Sequence, residues 1–172
     1  MKKILIFIIF IFLSGCSGKK YLGSIESCPK VFFSKEDKIY IASNENEITF
    51  ENIAYRAYIN NFAFESKCYL EDNILSTTIS LLFILEPNDD ASIEVFLPYY
   101  IATINSNDEL IDVDYYQALG KFRKDSDNLY FVETELTDTN AIKIKNIDSS
   151  SGKKNSLVIG FMLDDEKNTI LN

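Results

Sequence analysis

From Asn73 to Leu85 the chain reads NILSTTISLLFIL, with Leu75, Ile79, Leu81, Phe83 and Leu85 on one side and Ser76, Thr78 and Ser80 on the other. Successive side chains of a strand point to opposite faces, so this period of two predicts a half-buried β-strand. EPNDD, rich in turn formers, ends it. SIEVFLPYYIATI repeats the pattern through Ile93, Val95, Leu97, Tyr99 and Ile101. NSND turns the chain, and in ELIDVDYY the residues Ile111, Val113 and Tyr115 alternate with Asp112 and Asp114. VFF, KIYIA, the aromatic-rich IAYRAYINNFAF (Ile53 to Phe64), NLYFVET, AIKIK and LVIGFML are further runs of this kind, separated by SKED, DSDN, TDTN and DSSSGKKNS. No 12-residue stretch carries an apolar stripe at helical spacing. Strands and turns recurring in this way predict an all-β fold, an antiparallel β-sandwich of Ig- or fibronectin-like layout, with a closed lipocalin-like barrel as the alternative.

One run does not alternate. Ile4 to Leu13, ILIFIIFIFL, is ten apolar residues behind Met1-Lys2-Lys3. A bilayer-spanning helix needs about 20 apolar residues, whereas a basic start, a short apolar core and small residues after it make up a cleaved secretory signal. The junction Leu13-Ser14-Gly15-Cys16 resembles the lipobox of bacterial lipoproteins, a leucine and two small residues before an obligatory cysteine. That resemblance implies cleavage before Cys16, diacylglycerol on its thiol and a further acyl chain on its amine. Several chains suffice for a stable anchor, since each buried methylene contributes about 0.8 kcal/mol and one chain alone is marginal. Ser17, where an Asp would imply retention, implies sorting to the outer membrane, with the domain at its periplasmic face. The expected division is a signal peptide over 1–15, a lipidated tether over 16–27 containing the polar SGKKYLGSIES, and a single domain over 28–172.

Removing the leader leaves 157 residues, enough for one domain with a sizeable core. It also leaves 15 basic against 26 acidic side chains, a formal charge of −11. Such a surface repels phosphate backbones and anionic headgroups, so neither nucleic acid nor nucleotide is expected as a partner, and acyl chains rather than charge must hold the membrane. Cys28 and Cys68 remain as an even pair in an oxidising compartment. A disulfide between them would close a loop of about 41 residues and stabilise the fold by roughly 4 kcal/mol. A redox or metal pair is the alternative, for which the spacing is long and histidine is absent from the whole chain.

The lack of histidine also excludes Ser-His-Asp triads, Cys-His dyads and His-ligated zinc. Ser150 and Lys153 have S-x-x-K spacing but sit in a polar loop without a K-T-G partner. The Gly152 segment lacks the upstream glycine and the Ser/Thr of a phosphate loop. Asp89-Asp90, Asp125 with Asp127, and Asp164-Asp165-Glu166 could offer oxygens to calcium. Each stands where a strand must turn, and the Asp125 run has neither the glycine nor the glutamate of an EF-hand loop, so no metal and no cofactor is expected. A two-residue turn at Asn107-Asp108 would set Tyr99-Tyr100 opposite Tyr115-Tyr116, one ring of each pair facing out. Two outward tyrosines side by side make a platform for a glycan or a protein, or simply brace the sheet.

The lipobox, Cys28-Pro29, Lys67-Cys68 ahead of a strand, the LPYY of Leu97 to Tyr100 and the GFML of Gly160 to Leu163 together resemble a group of small alphaproteobacterial lipoproteins. The correspondence spans nearly the whole mature chain. It implies a single β-sandwich-like domain on a lipid anchor in the cell envelope, ending in a short polar helical tail that DDEKNTILN could begin, and it implies no activity. The expected function is that of a non-catalytic envelope lipoprotein binding another envelope protein. Glycan or peptidoglycan binding and a carboxylate-only hydrolase are the alternatives. If Cys16 carries the anchor, Cys16→Ser will remove the chain from the membrane fraction and the acyl mass from its N-terminus. A variant that fractionates like the wild type contradicts the lipobox reading.

Overall fold

The computed structural model describes residues 24–43, 45, 48–88, 94–145 and 155–171. Among these it contains twelve strands and one helix: β1 (Ser24–Glu26), β2 (Lys30–Phe33), β3 (Ile39–Ser43), β4 (Ile53–Phe64), β5 (Cys68–Glu71), β6 (Ile74–Pro87), β7 (Glu94–Ile104), β8 (Leu110–Lys121), β9 (Arg123–Lys124), β10 (Phe131–Val132), β11 (Thr134–Ile144), β12 (Ser156–Phe161) and α1 (Asp165–Leu171). Two sheets hold most of them. In the six-stranded sheet β6 is central. One edge of β6 pairs with β11; the other pairs with β4 and, below it, with β5, and these are flanked in turn by β3 and β1. The four-stranded sheet runs β2-β12-β7-β8, and its β2–β12 pair is parallel while the other pairs are antiparallel. β9 and β10 form a separate hairpin. The protein is an all-β sandwich.

The core lies between the inner faces of the two sheets. β6 contributes Leu75, Ile79, Leu81, Phe83 and Leu85, all buried as their alternation predicts, and Val95, Leu97, Tyr99 and Ile101 answer from β7. Leu157, Ile159 and Phe161 of β12 complete the opposing face, and the Phe83 ring meets those of Tyr99 and Phe161 at centroid distances of 5.4 and 5.8 Å. β4 changes phase midway. Tyr55, Ala57 and Ile59 face inward, Asn60 bulges out of the pairing with β6, and Phe62 and Phe64 then take the inner positions. The β5–β6 hairpin turns on Asp72 and Asn73, both at positive φ as a tight two-residue turn requires.

Four expectations are corrected. Ser24–Glu26, assigned to the tether, pairs with β5, so the sandwich begins ahead of Cys28. TDTN (Thr137 to Asn140) is not a turn but the middle of β11. The Asn107-Asp108 turn is wider than two residues: Asn105 N–H donates to the Glu109 carbonyl, Asp108 N–H to the Asn105 carbonyl, and Asp108 has φ 61°. A bulge at Ile111 restores the register, and Tyr99 still pairs with Tyr116 and Tyr100 with Tyr115. Finally, that register turns Val113 and Tyr115 to the outer side of the sheet and Asp112 and Asp114 to the inner side. Inward-pointing charge protects an edge strand such as β8 from pairing with another chain.

Cys28 and Cys68 are joined in a disulfide with Cα atoms 5.3 Å apart, fastening the segment between β1 and β2 to the start of β5. At the other crossover, from β2 to β3, Asp37 fastens the connection to the four-stranded sheet. Its carbonyl accepts from Phe161 N–H (2.7 Å), and its carboxylate accepts from Ser34 Oγ (3.0 Å) and Tyr100 Oη (2.6 Å). To reach it the Tyr100 ring lies across Gly160, where a Cβ would stand 2.6 Å from the tyrosine oxygen and 2.9 Å from Asp37 Cβ. α1 is capped by Asp164, whose carboxylate accepts from Lys167 N–H (2.9 Å). Gly160→Ala should lower stability by about 1–3 kcal/mol through overpacking, measured as a fall in the denaturant midpoint. A midpoint equal to wild type would mean that Tyr100 does not need the glycine.

Candidate functional site

The two tyrosine pairs divide as strand alternation requires. Tyr99 is 0% exposed, and its hydroxyl donates to Asp138 Oδ2 (2.7 Å) and accepts from Asn140 Nδ2 (2.7 Å), both on β11. Tyr116 stacks on Tyr99 with centroids 5.4 Å apart and an interplanar angle of 19°. Burial, with Asp138 accepting its hydrogen bond, pushes the Tyr99 pKa up, and burial followed by the charge of Asp114 raises Tyr116 to about 12. Tyr100 is half-buried on the outer side, and burial and then its bond to Asp37 raise it to about 12. Only Tyr115 presents its ring to solvent, at 66% exposure. Tyr100 and Tyr115 thus stand side by side on the outer face, one from each pair, with the Tyr100 hydroxyl committed to Asp37. Three serve the fold.

Tyr115 does belong to a surface, one that extends well beyond the tyrosines. On the outer side of the four-stranded sheet, register places Phe32, Val158, Ala102 and Val113 in one row across β2, β12, β7 and β8. The next row is Gly160, Tyr100 and Tyr115, then come Pro98 and Gln117, and Phe96 stands opposite Leu119. None of these residues is charged. Exposure varies across the rows: Tyr115 and Leu119 on β8 are each 66% exposed, and on the far side Phe32 is 51% and Met162 42%. Between them Ala102 is 6% exposed, Gly160 is buried, and Pro98 and Tyr100 are half-buried. The face is thus a shallow apolar trough, floored by β7 and β12 and walled by β8 and by Phe32 with Met162. Phe96, at 47%, rises at one end.

The outer side of the larger sheet has a different composition. β6 shows Ser76, Thr78, Ser80 and Glu86 there, β11 shows Glu135, Thr137, Thr139 and Lys143, and Ser80 Oγ lies 2.7 Å from Thr139 Oγ1. Leu82 and Ile84 lie half-buried among these polar residues, so the two outer faces differ in degree, the larger sheet being the more polar. Four trough residues, Phe32, Phe96, Leu119 and Met162, were not singled out from the sequence. The available signal was that residues 95–104 are apolar in both phases, the mark of a strand covered on both sides.

The remaining candidates are structural or lie elsewhere. Asp125 Oδ1 accepts from Leu129 N–H (2.8 Å) and closes the β9–β10 turn, in which Asn128 has φ 58°. Asp164 caps α1. Its pKa is raised by burial but lowered more strongly by the hydrogen bonds and charge of Lys167, for a net fall. Cys16, Asp89, Asp90, Ser150 and Lys153 lie outside the described residues. Among the described residues no group of three His, Cys, Asp or Glu side chains is placed to hold a metal ion, and no helix is long and apolar enough to cross a membrane. A depression of about 300 Å³ beside Leu119, lined by Glu94, Val95, Gly120 and Lys121, brings no nucleophile and base together. Comparison with protein-family models, with curated proteins and with solved structures returns no match.

The raised tyrosines predict a pH dependence with a definite sign. Between about pH 10 and 12 the native state keeps protons on Tyr55, Tyr100 and Tyr116 that the unfolded chain releases, so this stabilisation is complete below pH 10 and lost as pH rises toward 12. Urea midpoints should fall over that window, and less steeply in Tyr116→Phe. An unchanged slope in that variant would remove Tyr116 from the account.

Proposed function

We propose that the chain is a lipid-anchored, non-catalytic lipoprotein of the cell envelope, acting as a protein-interaction or accessory module at the periplasmic face of the outer membrane. The observation that carries the interaction reading is the apolar middle of the outer face of the four-stranded sheet, between Lys30 at one end and Glu94 with Lys121 at the other, where Phe32, Phe96, Tyr115, Leu119 and Met162 are all substantially exposed. Charge depletion with aromatic and methionine enrichment is the composition of an interface core. By order of magnitude the face covers roughly 400 Å², four strand spacings by six residues. That is the size of the largest apolar patch on a typical monomer, which is often functional. The anchor rests on Leu13-Ser14-Gly15-Cys16, and the resemblance to small alphaproteobacterial lipoproteins belongs to the same proposal. The chemistry of the chain supports no resident cofactor beyond the covalent lipid on Cys16.

Glycan binding is the weaker reading. Tyr99 and Tyr116 are in the core and the Tyr100 hydroxyl is committed to Asp37, which leaves sugar stacking to Tyr115. The test is chemical crosslinking and recovery of the tagged full chain from native membranes. The expected product is one stoichiometric protein partner. Recovery of peptidoglycan fragments, or of no protein, would refute the interaction module.

A further inference from the structure

By strand order β1, β2, β3, β8 and β11 border the two main sheets, and four of these are protected against pairing with another chain. β1, β2 and β3 have three, four and five residues, and β3 carries a bulge at its end. β8 is long, but it has a bulge near its start and the inward-pointing Asp112 and Asp114. Short length, bulges and inward charge are the means by which exposed edges avoid association. β11 is longer and more regular. It runs for 11 residues in unbroken register with β6, from Thr134 opposite Leu85 to Ile144 opposite Leu75, without proline or glycine. Its one inward acid, Asp138, is held by Tyr99 and Asn140 of its own sandwich. β8 approaches it from the inner side, with the Leu136 side chain beside Gly120 and Lys145 paired with Asp112 at 3.5 Å. Neither contact uses the main chain of β11, and among the described residues no strand pairs with its free edge.

The side chains of this edge complement themselves in reverse. On the outer face β11 reads Glu135, Thr137, Thr139, Ala141 and Lys143, all exposed. A second copy laid antiparallel about Thr139 sets Glu135 opposite Lys143, Thr137 opposite Ala141 and Thr139 opposite Thr139, and the two-fold axis repeats the ion pair. On the inner face Leu136 meets Ile142 and Asp138 meets Asn140. Opposite charges and paired threonines directly across an antiparallel ladder are stabilising. The adjacent registers match less well. Centring on Asp138 sets two aspartates against each other, and centring on Asn140 leaves Lys143 opposite Thr137 and Glu135 opposite Lys145, which Asp112 already holds. Within the chain Glu135 lies opposite Ile84 and Lys143 opposite Ser76, so β6 supplies neither with an opposite charge. We infer that the free edge of β11 is a self-association site, where two copies of this chain pair antiparallel about Thr139 and join their larger sheets into one. The net negative charge of each copy opposes approach at long range, so the contact relies on the matched edge charges and on main-chain bonds. It is separate from the apolar face, which belongs to the other sheet, and does not depend on what binds there.

Edge pairing is a small contact, below the roughly 800 Å² per partner of a stable dimer, so the test reads it by crosslinking in the cells that produce the full chain. Thr139→Cys places two thiols directly opposite at the axis, with Cα atoms about 4.5–5.5 Å apart and within disulfide reach. Mild oxidation should give a dimer on non-reducing gels. Thr137→Cys keeps its two copies about 14 Å apart and should give none, whereas Thr137→Cys with Ala141→Cys in one chain should link. Glu135→Lys makes each copy less negative, yet it should reduce linking through Thr139→Cys about tenfold by opposing Lys143 of the second copy. Adding Lys143→Glu restores the wild-type net charge and should restore linking. Thr139 bonds to Ser80, so the variant with cysteines at 137 and 141, both exposed, separates a folding fault from a missing contact. No dimer from that double variant, linking by Thr137→Cys alone as strong as by Thr139→Cys, or undiminished linking with Glu135→Lys overturns the contact.

Discussion

Tyr99 joins four strands, and the sandwich is organised around its needs. Its ring is enclosed between Phe83 of one sheet and Tyr116 of the other, at centroid distances of 5.4 Å each, and its hydroxyl has no route to water. An unpaired hydroxyl there would cost about 1–3 kcal/mol, so the opposite sheet must supply polar partners inside the core. Asp138 and Asn140 do so from β11, and Asn140 Nδ2 also donates to Asp138 Oδ2 at 3.0 Å. The three groups satisfy one another at the margin where β8 and β11 approach, which fixes how the two sheets register across their open side. At the opposite margin Asp37 ties the β2–β3 crossover to the four-stranded sheet through Tyr100 and Phe161 N–H.

That network also explains where the sequence was hard to interpret. TDTN has the composition of a turn because turns and buried polar clusters use the same short hydrogen-bonding side chains. Nothing local distinguishes an Asp bonded to its own backbone, as Asp125 is, from one bonded to a tyrosine 39 residues away, as Asp138 is. By contrast β4, β6 and β7 were legible because burial on one face imposes a period that requires no knowledge of the partner strand. The phase break at Asn60-Asn61 was visible as two runs of aromatic and aliphatic residues out of step, and a bulge is what reconciles them. In β8 the apolar Val113 and Tyr115 lie outside and the aspartates inside, so the pattern marked a strand without marking its core face.

The same ambiguity hid most of the candidate site. The tyrosine register was predictable from the hairpin, but the value of those positions as a binding surface depends on two further strands, β12 and β2, that come from opposite ends of the chain. Phe32 and Val158 become neighbours only through a parallel pairing that no local signal announces. Gly160 reads in sequence as a break in an apolar strand. In the structure it is the space that Tyr100 and Asp37 fill, which ties the outer face to the β2–β3 crossover.

The last strand of the chain is not at the rim of its sheet but between β2 and β7. Until residues 156–161 are in hand, β2 has no neighbour in that sheet, and the inner face of β7 lacks the Leu157, Ile159 and Phe161 side chains beside it. Closure of the smaller sheet is therefore a late and long-range event, slow in the way that non-local β pairings are. The β7–β8 hairpin can form from neighbouring residues alone, but β2 and that hairpin stay separate until residues 156–161 come between them and join the sheet.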